Sequence, residues 1–380
     1  MIIAVAASLV FLAGQVMAEP ITINWWHAMK GARGKVVDNM IKVFNDSQSD
    51  YVVVGTYKGN YDETVNAGVA AYRARKQPHL LQSFEVGTQT MMLSGAIYPV
   101  YKLMKDEGYN INWKGYLQPV LSYYMNANGD LMSMPFNSST PVMYYNVDLF
   151  KKAGIPMLDK TTPVTWDELG KITAKLVKSG VPGGMVTGWQ SWTQVENYSA
   201  IHNIAFASKA NGYEGLDCEL LINNPTVVKH VAMLKKWMKD GRFFYGGQKF
   251  AGPKAEFLAQ NAGVYGIAAF MKHLGRQDMQ IYWHKNTGYF PITLAAYEQL
   301  KKDGYYKEQP YQEVGIKQLT RKEPTKVSRG LRLGYFIQIR NIINEELELV
   351  WNDTKTPQEA MDNAVKRSNQ QLREFEKIYK

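Results

Sequence analysis

Ile21-Thr22-Ile23-Asn24-Trp25-Trp26-His27, then Val36-Val37-Asp38-Asn39-Met40-Ile41-Lys42-Val43-Phe44, then Tyr51-Val52-Val53-Val54: this stretch decides the fold. Ile21, Ile23 and Trp25 recur at period two, the spacing of residues that share one face of a strand. Val37, Met40, Ile41 and Phe44 follow at the i, i+3, i+4, i+7 spacing of one buried helical face. Tyr51 to Val54 is a β-branched run of the kind a buried strand carries. Strand, helix and strand in that order predict an α/β sheet joined by right-handed crossovers.

Before this stretch, residues 1–18 are apolar and close on Val16-Met17-Ala18, small or modest residues suited to cleavage before Glu19. The run is short for a bilayer span and reads as an export signal. Beyond the stretch, Thr165 with Glu168 forms a capping box, Leu169, Ile172, Leu176 and Val177 line one helical face, and Gly180 ends it. A last helix opens at Thr356-Pro357-Gln358-Glu359, with Ala360, Met361, Ala364 and Val365 as its apolar face. At roughly 150 residues per domain, 380 residues predict two domains. No Gly/Ser linker or repeat separates them, so they pack and hinge directly.

Function classes fall away on composition and spacing. A single cysteine, Cys218, excludes an internal disulfide and a Cys-based zinc site. The six histidines (His27, His79, His202, His230, His273 and His284) show no zinc-ligand spacing, and the chain has no P-loop, G-x-G-x-x-G or G-x-S-x-G. No metal, no cofactor and no catalytic residue is therefore expected, and the chain reads as a non-enzyme. The charge of +10 invites a nucleic-acid reading. Its basic stretches, such as Lys301-Lys302 and Arg321-Lys322, are not interleaved with stacking aromatics, so no nucleic-acid partner is expected.

What remains is a set of aromatic and hydroxyl-rich clusters outside the obvious helices. Tyr57-Lys58-Gly59-Asn60-Tyr61 follows the second strand, Phe136-Asn137-Ser138-Ser139-Thr140-Pro141 is a polar loop, and Gly188-Trp189-Gln190-Ser191-Trp192 carries two tryptophans. Ligands of α/β folds sit beyond the carboxyl ends of strands, where such loops meet. Aromatic faces cover the C–H surface of a polyol while hydroxyls and carboxylates take its OH groups; the same tryptophans also serve as half-buried core. Gly330-Leu331-Arg332-Leu333-Gly334 sets one arginine among glycines, either as an oxyanion fork or as a solvated surface residue.

Taken in order, these strings resemble the periplasmic sn-glycerol-3-phosphate-binding proteins of Ugp-type ABC importers, within the maltose-binding-protein-like extracellular solute-binding family 1. The likeness runs through Trp26-His27-Ala28-Met29, Thr56 to Tyr61, Phe84-Glu85-Val86-Gly87-Thr88, Pro135 to Val142, and Gly188-Trp189-Gln190 through Glu196-Asn197. It continues through Thr287 to Thr293, Gly330 to Gly334 and Asp353 to Gln358. The resemblance implies a two-lobed α/β fold with a hinged cleft. The N-terminal lobe is expected over 19–130 plus about 264–310, and the C-terminal lobe over 131–263 plus about 311–380. It implies a periplasmic monomer that captures sn-glycerol 3-phosphate, or its glycerophosphodiesters, and delivers it to a two-subunit ABC permease with its ATPase. Carried over, the ligand contacts fall on Tyr61, Glu85, Ser139, Trp189, Tyr289 and Arg332, with Trp192 as a second wall. In that assignment Arg332 forks onto phosphate, Tyr289 donates beside it and Glu85 accepts from a glycerol hydroxyl.

The resemblance also implies a gap. Relatives carry a further segment of roughly sixty residues, several typical strands and helices, between Phe257-Leu258-Ala259 and Gly266-Ile267-Ala268. The fold is thus expected to be incomplete there. Two alternatives stay open: the same fold binding a neutral sugar or polyol, and a remnant that has lost its ligand.

Overall fold

In the computed structural model, residues 19–143, 145–159, 162–181, 183–245, 271 and 273–380 are described. The export signal and the shortened segment around 257–266 lie outside them. Strand β1 (Ile21–His27) is flanked on one side by β2 (Tyr51–Tyr57), parallel from Ile21↔Tyr51 to His27↔Tyr57. On its other side β3 (Leu80–Leu81) pairs parallel with Trp25 and Trp26, giving the order β2-β1-β3. Helix α1 (Ala32–Asp46) makes the first crossover and α2 (Tyr61–Arg73) the second.

The period-two reading of β1 is half right. Every residue from Ile23 to His27 is buried, including Asn24 and Trp26, because β1 is a central parallel strand covered on both faces. Its core joins Ile23, Trp25 and Val53 to Val37, Met40, Ile41 and Phe44 of α1. Met279 and Trp283 of α5 (Gln277–Thr287) complete that core, so the chain returns late in sequence to the first sheet. Burying Trp283 and Ile23 completely contributes roughly 1.5–3 kcal/mol each.

The second large core is helical. Helices α4 (Pro225–Lys239), α7 (Phe336–Trp351) and α8 (Pro357–Tyr379) enclose Val231, Leu234, Ile339, Ile343, Leu347 and Met361. Its strands are brief: β4 (Val186–Thr187) pairs parallel with β5 (Phe244–Tyr245). Both predicted caps form. Thr356 accepts from the Glu359 N–H at the start of α8, and Thr165 accepts from the Glu168 N–H at the start of α3 (Trp166–Lys178). The buried stripe of α3 is rotated from the expected one, to Gly170, Thr173 and Leu176. Gly170 permits this, since a Cβ there would lie 2.8 Å from the Trp237 ring. Leu169 and Ile172 are left half-buried at the edge of the cleft described next. Leu294–Lys302 (α6) lies in a smaller core with Phe290, Tyr306 and Ile316.

Candidate functional site

A cleft of about 4000 Å³ runs between these cores. Small-molecule pockets typically enclose roughly 300–1,000 Å³, so this cleft is open. Tyr61, Glu85, Ser139, Trp189, Trp192 and Tyr289 line it.

Tyr61 is set at the first turn of α2 by local chemistry. Asn60 Oδ1 accepts from the Glu63 N–H at 3.0 Å while Glu63 Oε2 accepts from the Asn60 N–H at 2.7 Å. This reciprocal cap starts the helix just past the carboxyl end of β2. The Tyr61 ring stacks on Phe84 at 5.4 Å, and its hydroxyl lies 2.9 Å from that of Tyr289. Asn137 Nδ2 donates to the Tyr61 hydroxyl at 3.1 Å, and Gln82 Nε2 donates to Asn137 Oδ1 at 3.0 Å. A polar chain thus runs from the first sheet to the cleft. Burial and then the neighbouring Tyr289 push the Tyr61 pKa well above its ordinary value, so the phenol stays a donor.

Tyr289 follows Gly288, whose left-handed φ of 75° ends α5. Its ring stacks on Trp283, and the Arg33 guanidinium sits 5.2 Å from its centroid. Ser139 is exposed in its loop, and its hydroxyl makes no hydrogen bond among the described residues. Trp189 is 51% exposed, has φ of 49°, and meets Trp192 edge-on at 6.2 Å. A non-glycine residue in that backbone region is strained, as ligand-facing residues often are. Trp189 precedes the π-helical turn Ser191–Glu196 and Trp192 lies within it, where Asn197 Nδ2 donates to the Trp192 carbonyl at 2.7 Å.

Arg332 does not face the cleft. It is 2% exposed, and its Nη2 donates to the carbonyls of Tyr123 and Met125, the latter at 2.7 Å. Its guanidinium lies 4.5 Å from the Tyr213 ring centroid and 5.7 Å from that of Tyr123. The glycines around it serve close packing: a Cβ on Gly334 would strike Phe375, and one on Gly330 would lie 2.7 Å from Tyr123. The expected phosphate fork is therefore turned away from the open space.

Arg340, on α7, does line the cleft, as do Arg33, Arg73 and Arg321, and it is the one paired with Glu85. Its Nη2 donates to Glu85 Oε1 at 2.9 Å and to Glu196 Oε2 at 2.7 Å, while Nε donates to Glu196 Oε1 at 2.7 Å. Burial pulls its pKa down, but the charges of Glu196 and Glu85 outweigh it and lift the pKa above the ordinary arginine value. The sequence does carry a cue: Arg340 is a cation within a helix whose neighbours Phe336, Ile339 and Ile343 are buried. A charge so placed needs a partner. Among the described residues no cluster of three metal-ligating side chains forms, and no helix is long and apolar enough to cross a membrane.

Two cores around an open, aromatic-walled cleft make the architecture of a maltose-binding-like solute receptor. Solved structures share it. UgpB of Mycobacterium tuberculosis, in complex with glycerophosphocholine, superposes with a TM-score of 0.73 at 18% identity, covering 94% of this chain and 99% of that one. The GacH receptor of Streptomyces glaucescens gives 0.70 at 12% identity, over 93% and 99% of the respective chains.

Sequence likeness narrows the class. Residues 39–266 match the family described as bacterial extracellular solute-binding protein. The sn-glycerol-3-phosphate-binding periplasmic protein UgpB of Salmonella paratyphi A is 42% identical, over 99% of this chain and 97% of that protein. UgpB of Escherichia coli O1:K1 is 41% identical, over 94% of each. The chain belongs to the UgpB family of periplasmic binding proteins. The Salmonella alignment spans 430 positions against 380 residues here, so the chain passes over at least 50 positions that the relative fills.

Proposed function

We propose that this protein is the periplasmic binding component of an ABC importer, capturing sn-glycerol 3-phosphate, with glycerophosphodiesters as further ligands. It is not an enzyme, acts as a monomer, and delivers its ligand to a two-subunit permease with its ATPase. The N-terminal lobe comprises 19–130 with about 264–310, and the C-terminal lobe 131–263 with about 311–380. Ligand contacts fall on Tyr61, Glu85, Ser139, Trp189, Trp192 and Tyr289. Arg340 takes the anionic end, and Arg332 supports the wall behind it.

The observation that carries this reading is Arg340, a guanidinium held in the cleft beside a carboxylate acceptor, Glu85. That pairing suits a small molecule with one anionic end and one hydroxyl end. Closure of the lobes would bring Ser139 and the tryptophans onto the same ligand and present the permease with a surface absent from the open form.

A neutral polyol is favoured by one observation, the Trp189–Trp192 corner, which needs no ligand charge. Thermal unfolding of the mature chain separates the readings. Glycerol 3-phosphate at a hundredfold excess over Kd is expected to add roughly 2.7 kcal/mol of stability, and maltose none. No shift at millimolar glycerol 3-phosphate would refute the proposal, and a shift with maltose alone would favour the polyol.

A further inference from the structure

Glu196 closes the π-helical turn Ser191–Glu196, and its side chain is 5% exposed. Arg340 occupies both of its carboxylate oxygens, Nε on Oε1 and Nη2 on Oε2, each at 2.7 Å. Ser191 Oγ donates to the same Oε1 at 3.2 Å. The Ser191 N–H donates to Asn344 Oδ1 at 2.9 Å, which ties the turn to α7 one helical turn past Arg340. Glu85 Oε1 takes a second bond from Nη2 at 2.9 Å. Nη1 is the one guanidinium nitrogen of Arg340 to which the described residues give no hydrogen bond. Two carboxylates face one guanidinium, so the group carries an excess negative charge before any ligand arrives.

We propose that Glu196 is the positioning and charge-selecting residue of this cleft. It holds Arg340 so that Nη1 is presented to the ligand, and its own charge disfavours a doubly charged phosphate relative to a singly charged one. This rests on the reading of the cleft as a phosphoglycerol site. Glu85 alone would neutralise Arg340. A second, more deeply buried carboxylate adds nothing to that balance except rigidity and repulsion of anions.

The charge of the ligand can be varied independently. A phosphate monoester loses its second proton near a pKa of about 6, whereas a diester keeps a single charge throughout. His230, bonded to Gln194 in the same π-helical turn, has its pKa pulled down to about 3 by burial and stays neutral from pH 5 to pH 8. His79 and His202 line the same cleft, so each variant is compared with the unsubstituted chain at the same pH. Tyr61, Tyr123 and Tyr124 are pushed up by burial, and Arg332 stays protonated. On α8, Arg367 pairs with Glu345 and Glu346, further along α7.

The experiment is calorimetric titration of the mature chain with sn-glycerol 3-phosphate and with its methyl diester, at pH 5 and pH 8. At pH 8, Glu196→Gln is expected to raise monoester affinity relative to diester affinity about tenfold over the unsubstituted chain. At pH 5, where both ligands carry one charge, the ratio stays unchanged. Glu196→Asp keeps the charge and leaves the ratio unchanged at both pH values while weakening both ligands. An unchanged ratio for Glu196→Gln at pH 8, or an equal change at both pH values, overturns the proposal. A merely structural role would weaken both ligands alike. Should Glu196→Gln fail to fold, a Glu196→Asp ratio that differs between pH 5 and pH 8 from that of the unsubstituted chain overturns it as well. Failure of the unsubstituted chain to bind either ligand would instead remove the phosphoglycerol reading itself.

Discussion

Arg332 and Arg340 stand close together in one segment, the first buried and the second half-buried, and their surroundings differ in kind. Arg332 has no carboxylate partner among the described residues. It is held by backbone carbonyls and tyrosine faces, and burial lowers its pKa. Arg340 is held by Glu85 and Glu196 at the cleft. The first group joins the stretch around Tyr123 to the second core, a tie reinforced by the Tyr213 hydroxyl donating to the Ser122 carbonyl at 3.1 Å. The second is open on one edge. A cation held by rigid carbonyls fastens structure, whereas one held by carboxylates from two directions can still exchange an edge for a ligand.

Arg340→Ala should break this contrast most visibly. It leaves Glu85 and Glu196 facing each other without a counter-charge, and the ligand-free chain should lose about 4 kcal/mol of stability. Glycerol 3-phosphate should then produce no thermal shift, so unfolding curves with and without ligand coincide. A retained shift would show that the anion binds elsewhere.

Arg332→Ala should behave differently. Removal of charge-assisted bonds to the Tyr123 and Met125 carbonyls should cost about 3 kcal/mol in denaturant unfolding. The ligand-induced increment should survive. Its disappearance in a folded Arg332→Ala chain would return that residue to the ligand site.

The smallest effect sharpens the comparison by removing protonation from it. Burial lowers the His27 pKa to about 4, against 6.5 for the free side chain. The unfolded chain therefore binds this proton more readily, so the contribution is complete above pH 6.5 and is lost as pH falls towards 4. By pH 5 the loss should reach about 2 kcal/mol. Because both arginines keep their charge over this range, the parent chain and both variants should fall in parallel. His27→Gln should flatten the slope in each; unaltered slopes would assign the acid loss to other groups.

Local chemistry made much of the frame legible. The helical face from Val37 to Phe44, the caps at Thr165 and Thr356 and the parallel strands around Trp25 all follow from spacing and from side chains acting within a few residues. The closure of the first core was not legible, because α5, which packs with Ile23, Trp25 and α1, comes from far along the chain. Six of the seven expected ligand contacts line one cleft, although no two of their segments are joined in sequence. Arg332 misled because glycines flanking a cation read equally as room for an oxyanion and as room for Phe375 and Tyr123.

The sequence by itself determined the α/β opening, the helix ends and the family, since these depend on periodicity, on caps and on strings of residues in order. Tertiary structure alone decided that Arg340, and not Arg332, meets the cleft. Glu85, Glu196 and Arg340 come from a 3₁₀ turn, a π-helical turn and α7, and only packing brings two carboxylates to one guanidinium. Burial then sets the outcome, because a charge removed from water must find its partner wherever the fold places one.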